Sequence, residues 1–386
     1  MQWSSQRELV GEARPRLSTA SVSPELVISS PQPRHWGDPQ PGDLTVTTAG
    51  NRQLLLARHP EGRIRDEDFR LVDAPLAPLA DGQVQVRTIY LSIDPTMRVW
   101  LHPTDNYLPM IQPGEVFRGI GIGVVEATRH PGFAQGTLVQ GLFGCQQRVI
   151  SDGSDLLVLS DIAPLPVTAH FSLLGHIGMT AYCGLVKVGA AKAGETLLVS
   201  GAAGAVGALV GQIGRILGCR VVGVAGGAEK CRYLTEVLGF DAAVDYRAAD
   251  FDASLAAACS KGIDVYFDNV GGHTLELALG LMNDFGRIVC CGMISTYNDY
   301  DVPGPRNIVQ VVLKRLRMQG FVILDPEHDP KEAYAHLLQW AGEGRLQHRA
   351  HVVEGLERVP DAINMLLDGR NQGKLMVRLS DEPAAA

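Results

Sequence analysis

The sequence predicts an α/β protein: a doubly wound parallel sheet in the second half of the chain, joined to a mostly β domain in the first. Three observations predict it. Between about 170 and 345, strand-type runs alternate with helical ones, the pattern of βαβ units around a parallel sheet. From about 53 to 165 the runs are short and β-type, divided by Pro, Gly and Asp turns. Between a buried-strand run and a helical segment stands a glycine turn, Gly201-Ala-Ala-Gly204-Ala-Val-Gly207, a context suited to phosphate binding.

In chain order, residues 1–45 are rich in Pro, Ser and Thr without a period of 2 or 3.6, so they read as a disordered tail or as a segment preceding the true start. Strand-like runs follow at 53–58, 83–91, 119–126 and 137–142. The alternating part gives strands at 196–200, 220–224, 243–245, 265–269 and 286–292, with helices at 206–217, 229–238 and 274–282. Two later strand-like runs, 347–353 and 374–379, most simply return to the first domain. The expected division is 46–170 with 346–386 for the β domain, and 171–345 for the parallel sheet.

Length and composition agree with two domains: 386 residues, against roughly 150 per domain. With 34 Lys and Arg against 42 Asp and Glu, the formal net charge is −8, and no basic run could track a phosphate backbone, so nucleic acid is not an expected partner. Seven cysteines, an odd number without a C-x-x-C pair, fit reduced thiols in the cytoplasm better than disulfides or a zinc cluster. The apolar stretch 197–217 is interrupted by Gln212 and Arg215 and reads poorly as a membrane span. Residues 1–20, with Arg7, Glu8, Glu12, Arg14 and Arg16, hold no signal-peptide core.

The glycine turn carries the first chemical reading. Backbone N–H groups of Gly204, Ala205, Val206 and Gly207 at a helix start can face a pyrophosphate, and the missing side chain at Gly207 lets helix and strand pack closely. Ala202 replaces the first glycine of the usual G-x-G-x-x-G. At the tip of the next strand a site for NAD normally holds Asp or Glu; here the chain reads Gly226-Gly-Ala-Glu-Lys230. An acid there would repel a 2′-phosphate, whereas small residues and a cation admit one, so NADPH is favoured over NADH. The lesser alternative from spacing alone is that Lys230 is an ordinary solvated first-turn lysine. The run Asp268-Asn-Val-Gly-Gly272 is a natural crevice loop or a plain turn, and Cys290-Cys291 reads as a strand-end core pair.

Several strings together carry a resemblance: V-R-T-I-Y-L-S-I-D-P-T-M-R (86–98), G-M-T-A-Y (178–182), A-A-G-A-V-G (202–207), F-D-N-V-G-G (267–272), F-G-R-I-V-C-C-G-M-I-S-T-Y-N (285–298), L-R-M-Q-G-F (316–321) and G-R-N-Q-G-K (369–374). The sequence resembles the zinc-independent medium-chain dehydrogenase/reductases, in the alkenal, prostaglandin and curcumin reductase branch. The resemblance implies a Rossmann domain with a GroES-like β domain, and NADPH with its phosphates over Gly204 to Gly207. It implies Lys230 and Tyr246 at the 2′-phosphate. It sets Asn269, the 291–297 turn (Cys291, Gly292, Ile294, Ser295, Tyr297), a strand of Phe321, Val322 and Ile323, and Asn371 along the rest of the cofactor. The zinc-dependent relatives' G-H-E motif and four-cysteine lobe do not occur, and His102, His130, His170 and His176 form no recognisable ligand set, so no metal is expected. A homodimer is implied, joined near 286–294 or 301–308.

The implied reaction passes hydride from NADPH to the β-carbon of an α,β-unsaturated ketone or aldehyde and then protonates the α-carbon. Charge develops on the carbonyl oxygen, which needs a hydrogen-bond donor in a dry pocket. Two tyrosines of many relatives are Thr96 and Leu313 in this chain. The remaining donor candidates are Tyr107, Thr96 and Tyr297, or the nicotinamide ribose hydroxyl with bound water. Arg98 reads as a domain-positioning residue and Tyr182 as packing. Two rivals stay open on sequence: a quinone reductase on the same fold, and an NADPH-binding sensor that has lost its activity.

Overall fold

The computed structural model describes residues 50–103, 106–159, 162, 165–299, 303–325 and 330–383; the expected tail at 1–45 lies outside them. The first part of the chain is antiparallel. Strand β1 (Asn51–Leu56) pairs with β2 (Phe69–Ala74) as a separate ribbon. Strand β3 (Val84–Ser92) is central to a second sheet: buried Val84 and Val86 alternate with half-buried Gln85 and Arg87, and from Thr88 onward burial is continuous. Strand β3 pairs with β4 (Gly121–Thr128) along its length and, over the alternating part Val84–Arg87, also with β6 (Arg148–Ser151). Helix α1 (Thr96–Val99) leaves the end of β3, and β5 (Leu138–Gly141) and β7 (Leu157–Val158) continue the sheet outward from β4.

An apolar helical run, His170–Val188, has the length and composition of a membrane span but is 72% buried inside the structure, as a core helix is; α2 (His176–Tyr182) is its middle. It exceeds in length the apolar helix of the 197–217 stretch. Strand β8 (Thr196–Val199), buried throughout, leads through the glycine turn to α3 (Ala205–Ile216). Then come β9 (Arg220–Ala225), α4 (Ala228–Arg232), β10 (Ala242–Asp245), α5 (Phe251–Ala258), β11 (Ile263–Asp268), α6 (Gly272–Leu281) and β12 (Met282–Cys290). Helix α7 (Gln310–Leu313) precedes β13 (Arg317–Gly320), and α8 (Pro330–Gly342) follows.

All pairings in this sheet are parallel, in the order β10-β9-β8-β11-β12-β13. Counted along the chain this is 3-2-1-4-5-6, the order of a dinucleotide-binding sheet, with its topological switch between β8 and β11. Finally β14 (Ala350–Glu354), α9 (Val359–Leu367) and β15 (Lys374–Arg378) rejoin the antiparallel sheet, where β15 lies between β14 and β3.

Three expectations need correction. The strand expected at 286–292 begins at Met282, because α6 passes straight into it. It is also an inner strand, bonded to β11 and β13, so 286–294 offers no free edge; the edges are β10 and β13. Of the other proposed dimer segment, residues 301 and 302 lie outside the described ones. The strand expected at Phe321, Val322 and Ile323 ends at Gly320, and those three residues form the turn beyond it, held by Val322 N–H donating to Asp325 Oδ2 at 3.2 Å.

Candidate active site

The switch point is stitched by side chains. Ser200, just past β8, donates its hydroxyl to Asp268 Oδ1 at 2.9 Å, and the Asn269 amide returns a bond to Ser200 O at 2.7 Å. Asp268 is fully buried, and its Oδ1 also accepts from Tyr266 OH and the N–H groups of Val270 and Gly271. The Asp268 carbonyl takes the N–H groups of Cys291 and Gly292. Ile294 N–H bonds Asn269 O, and Ser295 Oγ bonds Val270 O at 2.6 Å. The turns after β11 and β12 are thereby laced into one wall of the crevice.

The other wall is the glycine turn. Gly201 has φ +58°, a left-handed conformation. A Cβ at Gly207 would lie 2.4 Å from Gly201 O and 2.8 Å from the Ala202 Cα, so only glycine lets α3 approach β8. Gly204 begins α3 without a side-chain cap, which leaves the N–H groups of Ala205, Val206 and Gly207 for a ligand. A pyrophosphate fits this cradle.

From Gly204 and Ala205 a depression runs past Tyr233 and Arg349 to Lys230 and Gly373. Lys230 Nζ donates to Gly369 O at 2.7 Å. Burial, and then the neighbouring Arg247 and Arg349 cations, lower the pKa of its ammonium. Arg247 lies over the Tyr246 ring at 5.5 Å, and Arg349 over Tyr233 at 5.4 Å. Tyr246 in turn lies against Gly226, where a Cβ would meet its ring at 2.8 Å. Sequence reasoning missed Arg247 and Arg349. The first was readable as the cation following Tyr246, whereas the second comes from a segment more than 100 residues away and had no local signal. Asn371 is buried with its amide donating to Gly373 O at 2.8 Å, turned into its own loop.

At the opposite end, the Thr96 hydroxyl and the Tyr107 hydroxyl are hydrogen-bonded to each other. Tyr107 also acts electrostatically on Tyr297. The Tyr297 hydroxyl accepts from Met293 N–H at 3.1 Å, and His102 Nε2 pairs with the Tyr297 carbonyl at 3.1 Å. Burial above all raises the Tyr297 phenol to about 12, so it keeps its proton at neutral pH. Of the three candidate hydroxyls, those of Thr96 and Tyr107 are thus brought into contact, whereas that of Tyr297 is turned to Met293. Leu313, by contrast, is 59% exposed at the end of α7. Arg98, fully buried, joins Gly62 O at 2.9 Å to Asn298 Oδ1 at 3.0 Å, so it ties the β domain to the loop beyond Tyr297.

A buried ion cluster stands behind this site. Lys374 Nζ donates to Asp94 Oδ1 at 2.8 Å and to Ile93 O at 2.7 Å, and His176 Nε2 reaches Asp94 Oδ2 at 3.2 Å. Burial opposes ionisation of Asp94, but the Lys374 and His176 charges overcome it and hold the carboxyl well below the usual range. Tyr182 bonds Glu332 and His336 away from these groups. Among the described residues no group of three or more His, Cys, Asp or Glu side chains converges as a metal site.

Known proteins match this arrangement over most of the chain. A family model described as the N-terminal domain of oxidoreductase matches residues 52–159, and one described as zinc-binding dehydrogenase matches 205–341. The chain is 44% identical to the NADPH-dependent curcumin reductase of Escherichia coli (strain K12), covering 86% of this chain and 98% of that protein. It is 36% identical to the 2-alkenal reductase (NADP(+)-dependent) of Nicotiana tabacum, with coverages of 86% and 98%. The crystal structure of CurA from Vibrio vulnificus in complex with NADPH superposes with a TM-score of 0.82 at 41% identity, covering 86% of this chain and 99% of that one. The chain belongs to the medium-chain dehydrogenase/reductase family, in its zinc-independent branch of curcumin, prostaglandin and 2-alkenal reductases. Its fold is accordingly a Rossmann domain with a GroES-like β domain.

Proposed function

We propose that this protein is an NADPH-dependent reductase of the carbon–carbon double bond of α,β-unsaturated ketones and aldehydes. The observation that carries the reading is the chain-long likeness to the NADPH-dependent curcumin reductase. Bound NADPH supplies the hydride.

The protein's own residues bind, orient and protonate. We assign the pyrophosphate to the N–H groups of Ala205, Val206 and Gly207, and the 2′-phosphate to Lys230 and Tyr246 with Arg247 and Arg349. The absence of a carboxylate at the tip of β9 and the three clustered cations support NADPH over NADH. Asn269, Cys291, Gly292, Ile294, Ser295 and Tyr297 form the wall against which the ribose and nicotinamide lie, with Phe321, Val322 and Ile323 beyond; Asn371 supports the adjacent loop. The Tyr107 hydroxyl, with Thr96 bonded behind it, donates to the substrate carbonyl as it gains charge. Tyr297, fixed by Met293, shapes the pocket and keeps water out.

The test is loss of nicotinamide absorbance with a 2-alkenal, a long enone, a benzoquinone and a saturated aldehyde. NADPH-selective turnover of the first two, with the saturated aldehyde inert, is expected; turnover of the quinone alone defeats the reading. In the same assay Tyr107→Phe should lower kcat by about 100-fold, the scale of a lost proton donor.

The domain division stays as 46–170 with 346–386, and 171–345. Seven free cysteines support a reducing, cytoplasmic setting. A homodimer is supported by the exposed apolar side chains Ile308, Val309, Val312 and Leu313 next to the edge strand β13.

A further inference from the structure

Two strand ends meet at the switch point. Val199 of β8 is the register partner of Phe267 in β11, so Ser200 and Asp268, one residue further on each, stand side by side. Both side chains are fully buried. Tyr266, two residues before Asp268 and so on the same face of β11, sends its hydroxyl to Asp268 Oδ1 at 2.6 Å. The Ser200 hydroxyl has a single proton, and it goes to the same oxygen at 2.9 Å. Ser200 Oγ is thereby left as an acceptor, to which the Asn269 backbone N–H donates at 2.9 Å.

The consequence reaches the Asn269 side chain. Its Nδ2 donates to Ser200 O at 2.7 Å, and only the nitrogen of an amide can meet a carbonyl, so the amide cannot turn over. Its Oδ1 is left without a donor among the described residues. Asn269 is half-buried and stands against the glycine turn, its Cβ 3.4 Å from where a Cβ of Gly201 would lie. Asp268 anchors the arrangement. Its Oδ1 also collects the N–H groups of Val270 and Gly271 at 2.9 Å each, whereas Oδ2 is shut away from solvent without a donor. One oxygen thus orders a hydroxyl, a phenol and the turn that follows β11.

We propose that Asp268 is a positioning residue for the cofactor, acting through Ser200 on Asn269, so that Asn269 offers bound NADPH an acceptor, suited to a sugar hydroxyl or a carboxamide N–H, and never a donor. The inference deepens the reductase reading and rests on it. An amide free to turn would set its own NH2 against those same O–H and N–H groups. Burying a carboxyl group is costly, and the bonds to Oδ1 offset that cost only while every donor stays in place, which keeps the turn rigid.

The test is a double-mutant cycle read by calorimetric binding of NADP+, with enone turnover measured alongside. Ser200→Ala and Asn269→Ala should each weaken NADP+ binding by about 5- to 10-fold, the scale of one hydrogen bond. The double variant should bind no more than about twofold more weakly than N269A, because Ser200 acts through the same amide. Asp268→Ala should match or exceed S200A, and Asp268→Asn, which keeps an Oδ1 acceptor, should recover most of the affinity. Losses that multiply in the double variant, wild-type affinity in S200A, or a D268N no better than D268A overturn the proposal. Melting curves establish that each variant is folded, and if the Asp268 variants are not, the cycle of S200A with N269A decides. The reductase reading is judged separately, by wild-type turnover of the enone: it falls if there is none, while the binding cycle still decides the role of Asp268.

Discussion

Lys230 and Asp94 show how differently one charged side chain can act. Among the described residues Lys230 hydrogen-bonds a carbonyl, Gly369 O, and shares its surroundings with two further cations and the Glu229 carboxylate. Such a cluster repels itself until a phosphate enters. Lys230→Ala should therefore raise the KM for NADPH by roughly 10-fold or more, leaving the KM for NADH nearly unmoved, as parallel titrations of the two cofactors would show. Asp94 is satisfied in the protein itself, by Lys374 and His176. Asp94→Asn would strand a buried ammonium and should destabilise the fold by about 3–5 kcal/mol, measured by denaturant unfolding. The sign of the pH effect follows. The folded carboxyl titrates well below its unfolded value of about 4, so its contribution is complete at neutral pH and is lost as acid takes the pH down through the lowered value. Thermal melts should show that loss in the wild type and a flatter acid limb in D94N. Neither Asp94–Lys374 nor Arg349 was legible beforehand, because each joins residues far apart in the chain and no local period marks such a meeting.

At the scale of elements, β8, the glycine turn and α3 were the most legible, because strand run, turn chemistry and helix agree within some twenty residues. Gly207 is the test of that unit. With Gly201 O only 2.4 Å from the missing Cβ, Gly207→Val must push α3 off the sheet. It should lower stability by about 1–3 kcal/mol and weaken NADPH binding at least as much, read from melting and from cofactor fluorescence. Other elements gave little signal. Helix α5 is dominated by alanine and has no distinct apolar face, and β7 is a two-residue strand with both side chains exposed. The misplaced strand at 321–323 has a similar cause: apolar character continues through Phe321, Val322 and Ile323, but β12 ends at Cys290 and leaves β13 no partner beyond Gly320. Thr96 and Tyr107 could be named from the sequence as hydroxyls but not brought together, since the loop carrying Tyr107 has no readable geometry.

For the whole molecule, the two sheets set what lies open. The parallel sheet ends in β13, where Val312 is 74% exposed and Leu313 59%. Val312→Asp should shift a dimer toward monomer in light scattering, and an unchanged mass would remove this face as the interface. The antiparallel sheet is organised otherwise: β15, which follows the parallel sheet in the chain, lies directly against β3 and carries in Lys374 one of the two partners of Asp94. During synthesis the nucleotide-binding sheet, whose strands run without interruption from Thr196 to Gly320, can close as soon as it has left the ribosome. The β domain, whose strands β1 to β7 precede that sheet in the chain, keeps Tyr90–Ser92 of β3 without their second neighbour and Asp94 without its lysine until β15 follows. Of the two sheets, the one whose strands come earlier in the chain is thus the one completed later.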